Sequence, residues 1–385
     1  MRSSTASALI YALIFAATGV SLPYAGLWFD GQGLSGSEIS VILAAPMLAR
    51  AFTGPLVAVW ADSFQLRRTA ISWLALIAAV AYGACALVDG FALWLVLWFV
   101  AATAAASLIP LSDALTLKLA RRDGFVFSIP RGVGSVAFIV ANVAMGVLLR
   151  SGDVDRIVLW VVLASVLLAA AALLAPAEPV QENDAVEAGP RLAGLGYLMS
   201  DRRFMIVVVA ISLIQASHAF YYGFSSIIWR AGGISTRDVG LLWGFSVVVE
   251  VALMWGLEPW RRRLGVGPIP VLILGAGAAI IRWLALAMEP PLAWLWPLQA
   301  LHALSFAAVY LAAIQLIERL APADKATAAQ MVYSSLSAGL LIGLATVVSG
   351  PLYDLYGPGG YLAMSGLAAL GLGLVITVRR RVAVS

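Results

Sequence analysis

The sequence predicts an all-α polytopic membrane protein: twelve transmembrane helices in two pseudo-symmetric six-helix bundles. Three observations predict it. The chain of 385 residues is 62% hydrophobic and only 11% charged, whereas soluble globular chains run near a quarter charged. Its apolar runs have the length a bilayer demands, since a hydrocarbon core ~30 Å thick takes roughly 20 residues of helix. Its longest polar interruption, 177–200, divides those runs evenly.

The runs lie at 6–29, 37–60, 69–88, 91–117, 128–150 and 156–176, then at 203–229, 238–258, 267–288, 291–319, 326–349 and 358–378. None shows the alternating ten-residue pattern of a barrel strand. Between the halves, Glu178, Glu182, Asp184 and Glu187 stand among prolines and glycines, a composition suited to a cytoplasmic linker. The expected organisation is therefore a bundle at 1–176, a linker at 177–200 and a second bundle at 201–385.

Charge orients the bundle. With Met1 taken as cytoplasmic, seventeen of the 24 lysines and arginines fall inside, four outside, and Arg50, Arg131 and Arg282 within helices. That bias follows the positive-inside rule and puts both termini in the cytoplasm of a bacterial-type inner membrane. The formal net charge of +4 thus reflects topology and gives no reason to expect nucleic acid as a partner. The first run is too long for a cleaved signal and ends in Leu27-Trp28-Phe29, without a small-residue cleavage site. Cys85 is the single cysteine and the two histidines fall on different helices, so neither a disulfide framework nor a metal-spaced cluster is expected. The chain has no H-E-x-x-H, G-x-S-x-G or phosphate-binding loop. An enzyme is not expected, nor a cofactor; the default is a monomer in lipid.

The halves repeat. Leu34-Ser35-Gly36-Ser37-Glu38-Ile39 aligns with Ile234-Ser235-Thr236-Arg237-Asp238-Val239. This puts Glu38 and Asp238 alike in first helical turns, where a carboxylate suits the positive end of the helix dipole. At the same offset Arg50 matches Glu250, opposite charges at equivalent mid-helix positions. Paired six-helix repeats with polar groups inside are the architecture of alternating-access carriers.

In the first helix, Tyr24 and Trp28 lie toward the outer end, where aromatic rings favour anchoring or packing; Tyr11 lies deeper. Arg50 in the second helix would cost several kcal/mol unpartnered, so it serves either helix locking or anion binding. After it comes Ala58-Val-Trp-Ala-Asp62-Ser-Phe-Gln-Leu-Arg67-Arg68. This stretch resembles the cytoplasmic loop Gly-x-x-x-Asp-Arg-x-Gly-Arg-Arg of the major facilitator superfamily, in which Asp62, Arg67 and Arg68 would latch a gate. Ala58, Ser63 and Gln65 depart from the pattern, and a solvated turn would look the same.

The fourth and fifth helices turn near Arg122, with Asp113 and Arg131 equidistant from that apex. Equal distance along two helices means equal depth, ~13 Å in. The pair reads as a structural salt bridge or as a substrate or proton site. Arg131-Gly132-Val133-Gly134-Ser135 and Gly146 supply small residues for close helix approach, and Asn142 a polar group for bonding across helices.

The seventh helix carries His218-Ala219-Phe220-Tyr221-Tyr222-Gly223 in mid-span. Tyr221, Tyr222 and His218 are candidates to line a cavity and stack on a ring, although a histidine satisfied by a nearby carbonyl is the plainer reading. Glu250, Arg282 and His302 sit at similar depth on the next three helices. Ionisable groups in mid-membrane pair or meet water, so these three are read as a polar site. A carboxyl alternately exposed to each side of the membrane is a physical route to proton coupling.

Three stretches, Ser217-His-Ala-Phe-Tyr-Tyr-Gly-Phe-Ser225, Gly240-Leu-Leu-Trp-Gly-Phe-Ser-Val-Val-Val-Glu250 and Leu301-His-Ala-Leu-Ser-Phe-Ala307, together with Ala279-Ile-Ile-Arg282-Trp283, resemble the phenylpropionate-permease branch of the major facilitator superfamily. That branch is related to the lactose permease group. The resemblance implies proton symport. It matches Asp113 and Arg131 to sugar-contacting residues of the lactose permease, and Glu250, Arg282 and His302 to its charged residues on the corresponding helices. Ser305 stands where that permease has its coupling carboxylate, which moves coupling to Glu250 first and Asp113 second, with His302 a further candidate, and weakens sugar as cargo. The expectation is a proton-coupled carrier of a small organic solute, an aromatic carboxylate paired by Arg50, Arg131 or Arg282. A sugar or nucleoside symporter and a drug-efflux carrier are the alternatives.

Overall fold

The computed structural model describes residues 2–178 and 194–382. Most of the expected linker therefore lies outside the described residues, and its described end holds a short helix, Leu195–Ser200. The helices are α1 Ser3–Gly31, α2 Gly36–Asp62, α3 Arg67–Cys85, α4 Phe91–Asp123, α5 Ser128–Leu148 and α6 Arg156–Leu173, then α7 Arg202–Ala231, α8 Thr236–Arg263, α9 Pro268–Leu286 and α10 Leu292–Leu320. α11 runs over 326–356, and a 3₁₀ turn, Gly357–Gly360, leads into α12, Tyr361–Val382. No strand occurs among the described residues. All twelve expected runs are thus helical, and the length and apolarity of the helices suit crossing a membrane.

The chain forms two compact units. One comprises Met1–Leu34, Val41–Val186 and Ser235–Gly244; the other comprises Ser35–Ser40, Glu187–Ile234 and Phe245–Ser385.

In the first unit α1 packs on α4, α5 and α6, and α3 on α4 and α6. Small residues set the closeness of these contacts. A Cβ at Gly19 would stand 2.7 Å from the Phe138 carbonyl oxygen, and one at Gly134 would stand 2.7 Å from the Phe15 ring. The start of α8 lies in this unit too, where a Cβ at Gly240 would stand 2.7 Å from the Asn142 carbonyl oxygen. Tyr24 and Trp28 serve packing: both are buried, Tyr24 donating to the Asn142 carbonyl at 3.1 Å and Trp28 to Asp155 at 2.9 Å. The Asn142 side-chain amide is buried with no partner among the described residues. Cys85 is buried, and no metal-holding cluster occurs among the described residues.

The turn after α2 folds onto its own unit. Asp62 and Arg67 approach to 3.8 Å, Arg68 donates to the Ala175 carbonyl, and the Arg67 amide donates to the Glu178 carbonyl at 3.3 Å.

In the second unit α12 packs on α7 and α9, and α10 on α7, α9 and α11. Its helices are less regular. α7 is interrupted at Ser217–His218, where the His218 amide bonds back only three residues, to Gln215. α8, α10 and α11 each contain a π-helical turn, at Leu253–Leu257, Ala303–Ala308 and Leu336–Leu341. Such turns insert a residue into the helical repeat and are frequent at functional sites.

The two helix starts expected to match do so in detail. Glu38 accepts from the Ser35 amide at 2.9 Å while the Glu38 amide donates to Ser35 Oγ. Asp238 accepts from Ser235 Oγ at 2.6 Å while its amide donates back at 3.2 Å. These are two N-terminal capping arrangements at equivalent positions. Beyond Glu38, the α2 start also receives Asp354, which accepts from the Gly36 and Ser37 amides at 2.7 and 2.8 Å.

Candidate functional site

Among the described residues, each unit brings mid-span polar side chains together. In the first, Arg131 Nε stands 3.6 Å from Asp113 Oδ1, as their equal distance from the α4–α5 turn predicts. Tyr11 donates to the same carboxylate oxygen. The guanidinium lies 4.5 Å above the Phe15 ring and 5.4 Å from that of Tyr11, within cation–π range. Arg131 and Asp113 remain 35% and 33% exposed, so this pair is reachable. Tyr11 and Phe15 complete the cluster and escape a sequence reading, because one turn of an apolar helix gives no sign of which ring faces a charge.

Arg50 is exposed and makes no ion pair or side-chain hydrogen bond among the described residues.

The second cluster brings Glu250, Arg282 and His302 together. Arg282 is fully buried, its guanidinium 4.3 Å from the Tyr221 ring centroid and 4.6 Å from that of Trp283. One terminal nitrogen bonds His302 Nδ1 at 2.8 Å and the other Gln299 Oε1 at 2.7 Å. His302 Nε2 stands 3.1 Å from Glu250 Oε1. Gln299 Nε2 donates to the Tyr221 hydroxyl at 2.8 Å. Glu250 is the least enclosed member, 14% exposed against 5% for His302.

His218 belongs to the same cluster. Its Nδ1 faces the Gln215 carbonyl at 3.1 Å and its Nε2 faces Ser305 Oγ at 3.2 Å. At the break in α7 the same carbonyl also accepts from the His218 amide, and the π-helical turn in α10 carries Ser305. Trp283 Nε1 donates to Ser217 Oγ at 2.9 Å. Tyr222 is only partly buried and lies beside His218 and His302.

Sequence reasoning missed Gln299, Ser217 and the role of Ser305. Gln299 carried a usable signal: it is a polar residue in mid-span, one helical turn before His302. Arg282, expected as a candidate to pair a substrate anion, is buried and bonded to His302 and Gln299.

Comparison with known proteins agrees with this architecture. Residues 5–362 match the MFS_1 like family. The chain is 30% identical over 373 residues to the probable 3-phenylpropionic acid transporter of Escherichia coli (strain K12), covering 96% of each chain. It is 29% identical over 382 residues to the maltose permease of Geobacillus stearothermophilus, covering 97% of this chain and 94% of that one. In fold it resembles the crystal structure of the nucleoside transporter NupG, with a TM-score of 0.86 at 17% identity over 98% of this chain and 99% of that one. The chain belongs to the MFS_1 like family, and it is an integral membrane transporter of the major facilitator fold, not an enzyme.

Proposed function

We propose that this transporter is a proton-coupled symporter of a small aromatic carboxylate, with Glu250 as the coupling group. The observation that carries the reading is the Glu250–His302–Arg282 chain, a carboxyl partly reachable at one end of an otherwise buried donor network. In a membrane interior such a carboxyl persists only with partners or water, and its gain and loss of a proton would change the order of its neighbours. Arg131 and Arg50 are the exposed mid-span guanidiniums, and a carboxylate matches their donors. Asp113 is the second candidate proton group. Tyr11 and Phe15 supply rings beside Arg131; Tyr221, Tyr222 and His218 supply an aromatic wall in the second cluster. Asp62, Arg67 and Arg68 serve the cytoplasmic gate, and both termini face the cytoplasm of an inner membrane. The protein acts as a monomer.

The name of the 30% identical relative supports the choice of cargo. Sugar or nucleoside cargo is the second reading, favoured by the names of the maltose permease and of the nucleoside transporter. The test is substrate-induced proton uptake in proteoliposomes, with 3-phenylpropionate, maltose and uridine compared in wild type and Glu250→Gln. Alkalinisation with 3-phenylpropionate, lost in Glu250→Gln while binding persists, is the expected result. Alkalinisation that survives the substitution would move coupling to Asp113. Flux without any proton signal would remove symport.

A further inference from the structure

Arginine only donates hydrogen bonds, so whatever stands against it must accept. In the second unit this rule settles the orientation of two side chains at once. Gln299 must turn its oxygen to Arg282, and its amide nitrogen then donates to Tyr221. His302 must keep Nδ1 bare, because Arg282 reaches that nitrogen at 2.8 Å. Its proton then sits on Nε2 and points at Glu250, 3.1 Å away.

We infer that Gln299 is a positioning residue that sets the tautomer of His302, and that His302 offers a fixed N–H to Glu250 without itself carrying the proton. A second proton on the ring would set an Nδ1–H against an Arg282 N–H, donor facing donor. The ring could take it only if Arg282 moved away. Arg282 is held by Gln299 on one side and by the faces of Tyr221 and Trp283. The charged and titratable groups around His302 are Glu250 from α8, Arg282 from α9, and His218, Tyr221 and Tyr222 from α7. Glu250 is the one acid among them. The donor role rests on the reading of Glu250 as the coupling group; the tautomer does not.

The chain has two histidines, and the geometry gives them opposite tautomers. His218 donates from Nδ1 to the Gln215 carbonyl and accepts at Nε2 from Ser305. His302 accepts at Nδ1 and donates from Nε2.

The experiment is nitrogen NMR of the full chain in lipid nanodiscs near neutral pH, with ¹⁵N-labelled histidine and His218→Asn for assignment. In the wild type His302 is expected with a protonated Nε2 and a bare Nδ1, and His218 with the reverse. Gln299→Leu is expected to replace the single His302 signature by a mixed one and leave His218 unchanged. Gln299→Glu, which still offers oxygen to Arg282, is expected to keep the wild-type signature. A wild-type His302 that is doubly protonated or protonated at Nδ1 would overturn the proposal even if Gln299→Leu fails to fold. An unmoved signature in a folded Gln299→Leu would overturn the part given to Gln299. Failure of 3-phenylpropionate to move protons would remove the cargo assignment and leave the tautomers as they are.

Discussion

Arg282 bonds Nδ1 of His302 at 2.8 Å, and the opposite nitrogen of the same ring stands 3.1 Å from Glu250. A base and an acid on different helices are thus joined through one imidazole. Because the guanidinium is fully buried, removing it strands three groups: the His302 ring, the Gln299 oxygen and the Glu250 carboxyl beyond them. Loss of one partner from a buried charged cluster costs about 3–5 kcal/mol. Arg282→Met is expected to lower the thermal unfolding midpoint in detergent by several degrees. Combined with Glu250→Gln, the loss should be smaller than the sum of the two single losses, as for residues in one network. Strict additivity would show that the chain is not energetically connected.

The Asp113–Arg131 pair should behave differently, because both partners are about one-third exposed. Pairs with access to water contribute at most about 1 kcal/mol. Arg131→Gln is therefore expected to leave the unfolding midpoint nearly unchanged and to weaken 3-phenylpropionate binding at least about tenfold, a loss of ~1.4 kcal/mol. Calorimetry on the purified protein reads both quantities. A large fall in stability with binding intact would identify a structural lock of the α4–α5 hairpin.

Gly240 lies against the α5 backbone. A Cβ there would stand 2.7 Å from the Asn142 carbonyl oxygen, whereas one at Gly277 meets nothing within 4 Å. Overpacking costs about 1–3 kcal/mol. Gly240→Val is expected to reduce thermal stability measurably and Gly277→Ala to leave it unchanged or slightly raised.

Asp354 adds a second carboxylate to the start of α2, accepting from the Gly36 and Ser37 amides. Loss of a capping side chain costs about 1 kcal/mol. In Asp354→Ala, hydrogen exchange at those two amides should accelerate about fivefold, the factor that such a loss gives for local opening. The equivalent start of α8, capped by Ser235 and Asp238, should be unaffected.

How much of this was legible in the sequence depended on whether a position followed from counting along regular helix. Asp113 and Arg131 met because nine residues on each side of a turn give the same depth. Glu38 and Asp238 became caps because an acidic residue three places after a serine has only one geometry to adopt at a helix start. Counting failed where the helix itself is irregular. Neither proline nor glycine marks the break at Ser217–His218, and no residue pattern marks the π-helical turns. The contact between His218 and Ser305 was hidden for that reason. Tyr24 and Trp28 show a different limit: an aromatic ring near a helix end suits lipid headgroups and inward packing equally, and only the neighbouring Asn142 and Asp155 decide.

The π-helical turns of α8 and α10 have a consequence for how the two helices can be altered. They touch each other, and each sits between two cross-helix contacts: Glu250 with His302 before the turns, Glu258 with Gln315 after them. An inserted residue rotates everything beyond it by about 100° around the helix axis. One such slip would carry Glu258 away from Gln315, but an equal slip in the partner brings them back into phase. The two helices therefore act like a pair of gears advanced by one tooth together. Deleting a residue from either turn alone should disengage Glu258 from Gln315 while sparing the contact at Glu250, and deleting one from both should re-engage it.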